Sequence, residues 1–496
     1  MQGVTRRWVV SALLAGSALP ACANAPARSP LPPVRPERAA GGVVVPGATA
    51  LIEAAGLGGQ VGYAVADAAT GQLLEAHRPD EALPPASVLK AMTAVYALDM
   101  LGPGHRFATR LIATGPVVGG QVQGDLVLAG GGDPTLATDD LAALVQALRA
   151  QGVTGVRGRF VAHGGALPAI ARIDPDQPEH VGYNPSVSGL NLNYNRVHFR
   201  WRRVGSGHEV TMDAPGERHN ALVGMATMQV QNRSLPVYTY AEGGGIERWT
   251  VARSALGDGG SRWLPTRQPE RLAGDVFRSL ARAQGVTLPA AEPGRGPLPP
   301  GTVLAQRGSQ DLGPVLRDML RWSTNLTAEA VGLAASQARG ARPEGLAASG
   351  RLMADWATGR FGTGPMRLVD HSGLGDASRI SPAQMLRMLT APGVSAQLRG
   401  LLRDFPMRDG RGNTIADHPL GVAAKTGTLN FVSGLGGYVR TPAGRDLAFA
   451  ILAADLSARA RIAPDQRERP AGGREWAQRA RRLQQQLIER WGALHA

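Results

Sequence analysis

Lysine is almost missing from this chain. Lysine and arginine together number 53, yet lysine stands only at positions 90 and 425, so 51 are arginine. Arginine stays protonated in proteins and cannot act as a base, whereas a buried lysine can lose its proton. Two lysines kept in such a background are candidates for chemistry, weighed against chance survival in unremarkable places. Cysteine is scarcer still: Cys22 is the one cysteine in 496 residues, which excludes an intrachain disulfide. Beyond the N-terminus no apolar run is long enough to span a bilayer. The ten histidines show neither His-Glu-x-x-His nor paired zinc spacing, so they read as structural or surface residues, and no metal or cofactor is expected. Gly130-Gly-Gly132 lacks the Gly-Lys-Ser/Thr that would make a phosphate loop, and reads as a turn.

What is present is the composition of a folded globular protein, 43% hydrophobic and 19% charged, with 65 glycines and 36 prolines pointing to many loops. The length allows two or three domains. A net charge of +14 suits an anionic polymer such as cell wall, although a solvated arginine-rich surface is the plainer reading. Arg6 and Arg7, the apolar stretch Trp8–Leu19 and the small residues 19–25 form an export signal peptide, 1–25. Cleavage after Ala23 or Ala25 would release a soluble protein. Cleavage before Cys22 would give a lipoprotein, since Leu19-Pro20-Ala21-Cys22 resembles a lipobox with an atypical proline. Thr5-Arg6-Arg7-Trp8 weakly resembles a twin-arginine signal. Either way an exported, periplasmic protein is expected, which argues against nucleic acid as a partner.

Residues 26–46, rich in proline, arginine and alanine, read as a linker. A hairpin pattern follows, Val61–Asp67, a turn at 68–71, and a return at 72–76. Pro84-Pro85-Ala86 stops the extended chain, and Ser87–Leu101 suits a helix closed by Gly102-Pro103. Residues 47–104 are thus the first part of one domain. From 105 to 300 short β-like runs alternate with turns, with a few helices such as Asp139–Ala150 and Pro269–Gln284; this reads as a β-rich insertion. Residues 301–496 read as the domain's second part. Helices are expected at 312–338, 344–359 and 381–391, and strands at 422–428, 432–440 and 446–454. In a terminal basic helix Trp476, Ala480, Leu483, Leu487 and Trp491 share one face. That face suits packing on its own domain, or alternatively a membrane surface.

Three short motifs carry chemistry. Ser87-Val88-Leu89-Lys90 opens the first helix, and residues three apart share a face there. A serine hydroxyl is a poor nucleophile until a base takes its proton, and a lysine with a lowered pKa can be that base. Lys425-Thr426-Gly427-Thr428 lies in a strand-like run, where hydroxyls backed by a cation can hold a carboxylate and glycine admits close approach. Ser323-Thr324-Asn325 is the third; alone it reads as an ordinary helix N-cap.

In the order Ser-x-x-Lys, Ser-x-Asn, Lys-Thr-Gly, the three motifs resemble those of penicillin-binding proteins and serine β-lactamases. Gly132-Asp-Pro-Thr-Leu136, Leu190-Asn-Leu-Asn-Tyr-Asn195, Asp370-His-Ser-Gly-Leu374 and 431–439 narrow the resemblance to the class C low-molecular-mass penicillin-binding proteins, D-Ala-D-Ala carboxypeptidase/endopeptidases, over residues 48–456. The resemblance implies an α/β (α+β) serine transpeptidase fold of the penicillin-binding-protein/β-lactamase type, with a large β-rich insertion between the first two motifs. It implies Ser87 as acylated nucleophile, Lys90 as its base, Ser323 as proton relay and Asn325 as a substrate-amide contact. Lys425 would keep its charge and lower the pKa of Lys90. Thr426, Gly427 and Thr428 would line the carboxylate site, and the N–H groups of Ser87 and Thr428 the oxyanion hole. Peptidoglycan stem peptides would be the substrate and β-lactams the inhibitors. A secreted β-lactamase and a catalytically silent wall-binding scaffold are the alternatives. Two departures bear on side-chain specificity. Asp376 stands where relatives often carry an arginine, and Ile173-Asp-Pro-Asp-Gln-Pro replaces a tryptophan-rich segment.

Overall fold

The computed structural model describes Glu37–Arg38 and residues 44–495. The signal peptide, Cys22 and most of the linker therefore lie outside the described residues. Among the described residues no helix is long and apolar enough to cross a membrane.

One six-stranded antiparallel sheet organises the catalytic half. Its order is Arg403–Asp404, Gly421–Leu429, Val432–Arg440, Asp446–Ala454, Gln60–Asp67 and Leu73–His77. Both expected hairpins are here. Strand periodicity sorts the side chains by size as well as by face. Leu447, Phe449 and Ile451 meet Trp476, Leu483, Leu487 and Trp491 of the terminal helix Gly473–Leu494. The opposite face is mostly alanine at 448, 450 and 454, packed with helices Leu89–Leu101 and Pro382–Leu389. Each large apolar side chain so buried contributes ~1.5–3 kcal/mol. The terminal helix thus spends its apolar face on its own sheet, not on a membrane.

The small face matters for the site because it lets the segment before Leu89–Leu101 lie close to the sheet. Gly427 and Gly434 are cross-strand partners. A Cβ on Gly427 would come within 2.8 Å of the Pro85 carbonyl oxygen and 3.0 Å of the Ser87 amide nitrogen, and one on Gly434 within 2.8 Å of Val88.

The insertion has a five-stranded mixed sheet, ordered Ala291–Gly294, Phe160–His163, Leu126–Ala129, Ala108–Ala113 and Thr302–Gly308. Helices Thr138–Ala150 and Pro269–Ala283 share its core. A four-stranded antiparallel sheet and a three-stranded sheet, both within residues 196–265, join that core. The Pro/Gly-rich stretch 287–301 contains the edge strand Ala291–Gly294. Thr302–Gly308 pairs antiparallel with Ala108–Ala113, so the inserted lobe extends to 308 rather than 300.

Candidate active site

Ser87 sits in a 3-10 turn, Ala86–Val88, that runs into helix Leu89–Leu101. Ala86 before it is buried with φ +45°, a strained conformation for a residue with a Cβ. Gly373, φ +74°, lies against that turn so closely that a Cβ there would sit 1.9 Å from the Ala86 carbonyl oxygen. Loop Asp370–Gly375 therefore locks the serine turn from one side while Gly427 receives it on the other.

Lys90, one turn on, is fully buried. Its Nζ lies 2.9 Å from Ser87 Oγ, 2.7 Å from Asn325 Oδ1 and 2.8 Å from the Ser372 carbonyl oxygen. These partners are chemically unequal. A neutral amine has two N–H donors and one lone pair. The Asn325 and Ser372 oxygens can only accept, so they take the two donors. The lone pair is left for the one partner with a proton to give, the Ser87 hydroxyl. Burial brings the Lys90 amine down to about 8, against the opposing pull of Glu329 and Asp370.

Ser323 and Asn325 are brought together by a break in what reads as one helix. Leu312–Trp322 ends at Ser323, φ +58°, and Asn325–Ala338 begins after Thr324. Thr324 stands at the N-cap position but its side chain makes no cap bond; Ser323 and Asn325 accept instead from Lys425 and Lys90. Asn325 bridges, accepting from Lys90 through Oδ1 and donating from Nδ2 to the Tyr183 carbonyl oxygen at 2.8 Å. Tyr183 belongs to the inserted lobe, a contribution with no sequence signal.

Lys425 Nζ donates to Ser323 Oγ at 3.0 Å and to the Thr426 carbonyl oxygen at 2.7 Å. It is itself depressed well below an ordinary lysine, by burial first and then by Lys90 and Arg403. Burial is the first cause of the lowering of both lysines, and the two amines repel each other.

Of two carboxylates beside Lys90, Asp370 opens the 370–374 stretch noted in the sequence, and Glu329 lies outside the quoted motifs. Glu329 and Asp370 are buried beside Lys90, and burial pushes both upward while bonds from backbone N–H groups pull down. Glu329 stands four residues after Asn325 on the same helix face, which is the signal that finds it. His371, between them, donates or accepts at Ser349 Oγ over 2.7 Å and is held neutral, down to about 3, by burial.

Past the Lys425–Thr428 segment, a cavity of about 330 Å³ is lined by Asp174, Asp176, Asp376, Arg379, Arg459 and Arg467 among others. Asp376 Oδ1 pairs with Arg459 Nε at 2.6 Å, and Arg379 donates to the Asp376 and Ser378 carbonyls. Guanidinium groups are thus present there, from positions other than 376. The inserted lobe forms one wall. Arg467 reaches Asp176, and Glu468 takes His180 at 2.7 Å and Arg262 at 3.0 Å.

A D-alanyl-D-alanine carboxypeptidase of an Actinomadura species is 31% identical, over 81% of this chain and 79% of its own. A D-alanyl-D-alanine carboxypeptidase of Haemophilus influenzae is 24% identical over 79% of this chain and 85% of its own. Among solved structures, penicillin binding protein 4 of Haemophilus influenzae superposes with a TM-score of 0.69 at 19% identity, covering 90% of this chain and all of that one. The fold is therefore the serine penicillin-binding-protein fold with a large insertion. Since the family model spans residues 49–478, most of the chain, the chain belongs to the D-Ala-D-Ala carboxypeptidase 3 (S13) family.

Proposed function

We propose that the protein is a serine-type D-Ala-D-Ala carboxypeptidase, with DD-endopeptidase activity, that works on peptidoglycan stem peptides through an acyl-enzyme on Ser87. The observation that carries this reading is the sorting of partners around Lys90, which aims its lone pair at the Ser87 hydroxyl. Lys90 takes the Ser87 proton as the oxygen attacks the penultimate D-alanine carbonyl. The oxyanion is received by the N–H groups of Ser87 and Thr428, each donor worth ~3–4 kcal/mol. Gly427 supports that role, because it allows the strand to approach the Ser87 amide nitrogen. Ser323, bonded to Lys425, passes a proton to the departing amine. Thr426 and Thr428 hold the terminal carboxylate with Lys425 behind them, and Asn325 contacts the substrate amide. Water then releases the acyl group, and a β-lactam in the same place stays bound. The chain is exported, freed after the signal segment or held by a lipid on Cys22.

Fluorescent penicillin should label the wild type on Ser87 and leave Ser87→Ala unlabelled; a label on another residue sinks the assignment. Mass spectrometry of products from intact peptidoglycan separates D-alanine release from cleavage of cross-links.

A further inference from the structure

The mechanism above leaves two buried carboxylates unused, and their bonding is unusually directed. Glu329 accepts from the amides of His371 and Ser372 at 3.0 and 2.9 Å, one on each oxygen. Asp370 accepts from the amides of Gly373 and Gly375 at 2.9 and 2.6 Å, again one on each. Four backbone donors of one loop are thus tied to two side chains, while the Leu374 amide between them bonds Ser372 Oγ. The loop's carbonyls point the other way, onto the serine helix. Thr93 Oγ1 donates to the His371 oxygen at 2.6 Å, and Lys90 Nζ to the Ser372 oxygen at 2.8 Å. Lys90 and Thr93 are one turn apart on one face. Each peptide plane joins one residue's C=O to the next residue's N–H, so Glu329 on the Ser372 amide fixes the His371 carbonyl and Asp370 on the Gly373 amide fixes the Ser372 carbonyl.

We propose that Glu329, seconded by Asp370, is a positioning residue for acyl transfer. Glu329 fixes the His371–Ser372 peptide, whose carbonyl takes Thr93, and Asp370 fixes the Ser372–Gly373 peptide that follows; together they hold the Ser372 carbonyl on one N–H of Lys90, and so keep the amine's lone pair on Ser87. Asn325 and Glu329, four apart on one helix, then act on the same amine, the first by touching it and the second through the loop. This rests on the assignment of Ser87 and Lys90 given above.

The charged groups facing Lys90 are Glu329 from helix Asn325–Ala338, Asp370 from the loop and Lys425 from the sheet; Asp174 of the inserted lobe acts on Asp370. Glu329 favours the charged amine, which gives the test a readout that loosened packing would not move. In the full chain, the acylation rate with fluorescent penicillin is measured against pH for wild type, Glu329→Gln and Glu329→Asp, with melting temperatures. Glu329→Gln should acylate roughly 10–100-fold more slowly, as expected for a misaimed reacting group, with its acid limb moved to lower pH because a negative charge beside the amine is gone. Glu329→Asp should also be slow, since it cannot span both amides, yet keep the wild-type limb. Wild-type rate and limb in Glu329→Gln overturn the proposal, and so does a slowed rate with an unmoved limb. If Glu329→Gln does not fold, Glu329→Asp decides: slowing at an unchanged melting temperature supports the proposal, and a wild-type rate overturns it. A wild type that fails to label at Ser87 would instead refute the underlying assignment.

Discussion

Lys90→Arg separates charge from basicity at the centre of the site. At pH 7 an ordinary lysine near 10.5 is neutral in only ~0.03% of molecules, whereas one near 8 is neutral in ~10%. Burial thus raises the supply of base ~300-fold, equivalent to about 3 kcal/mol of differential solvation. Arginine in that place keeps the charge and surrenders the base, since its neutral form is negligible. Loss of a positioned general base costs ~10²–10⁴ in rate. Stopped-flow acylation by fluorescent penicillin should therefore fall at least ~100-fold in Lys90→Arg, at a melting temperature showing a folded chain. The same logic fixes the pH dependence of the wild type. The working form is the neutral amine, so the rate should level off above about 8 and fall toward tenfold per pH unit below it. A variant within ~tenfold of wild type, or a wild-type rate that stays flat on acidification well below that point, would refute Lys90 as the base.

Stability should register the same lysine. The folded-state value of about 8 lies below the unfolded 10.5, so the unfolded chain binds more protons between them and stability rises with pH across that window. In urea titrations the wild type should gain up to about 3 kcal/mol over Lys90→Met from pH 8 to 10.5; parallel curves would contradict the burial argument. Gly427→Ala should lower both melting temperature and acylation rate, because its Cβ meets backbone at Pro85 and Ser87; a cost of ~1–3 kcal/mol is expected from overpacking, and unchanged kinetics would show that the turn is free to move.

Local rules made much of this legible. Alternation located the hairpins around 61–76 and 432–454, and the three-residue spacing put Ser87 and Lys90 in contact. What stayed hidden was non-local or carried by backbone. The break at Ser323 has no glycine or proline to announce it, only a left-handed serine. The strand within Pro/Gly-rich 287–301 is masked by its composition, since an edge strand tolerates a proline such as Pro293. Thr302–Gly308 finds its partner nearly two hundred residues earlier. Spacing from Asn325 locates Glu329, but its bonds to the His371 and Ser372 amides are not encoded by side-chain types.

The bond from Asn325 to the Tyr183 carbonyl bears on how such an enzyme can be trimmed. An inserted lobe hung on the outside of a fold is a detachable module, and its removal should leave a smaller working enzyme. Here excision of 105–308 would strip Asn325 of the acceptor that fixes its amide, and thereby release its other end from Lys90. The lobe and the chemistry are wired through one side chain. A lineage carrying this insertion cannot shed it in a single step, and anything that grips the outer lobe holds a lever on the reacting amine.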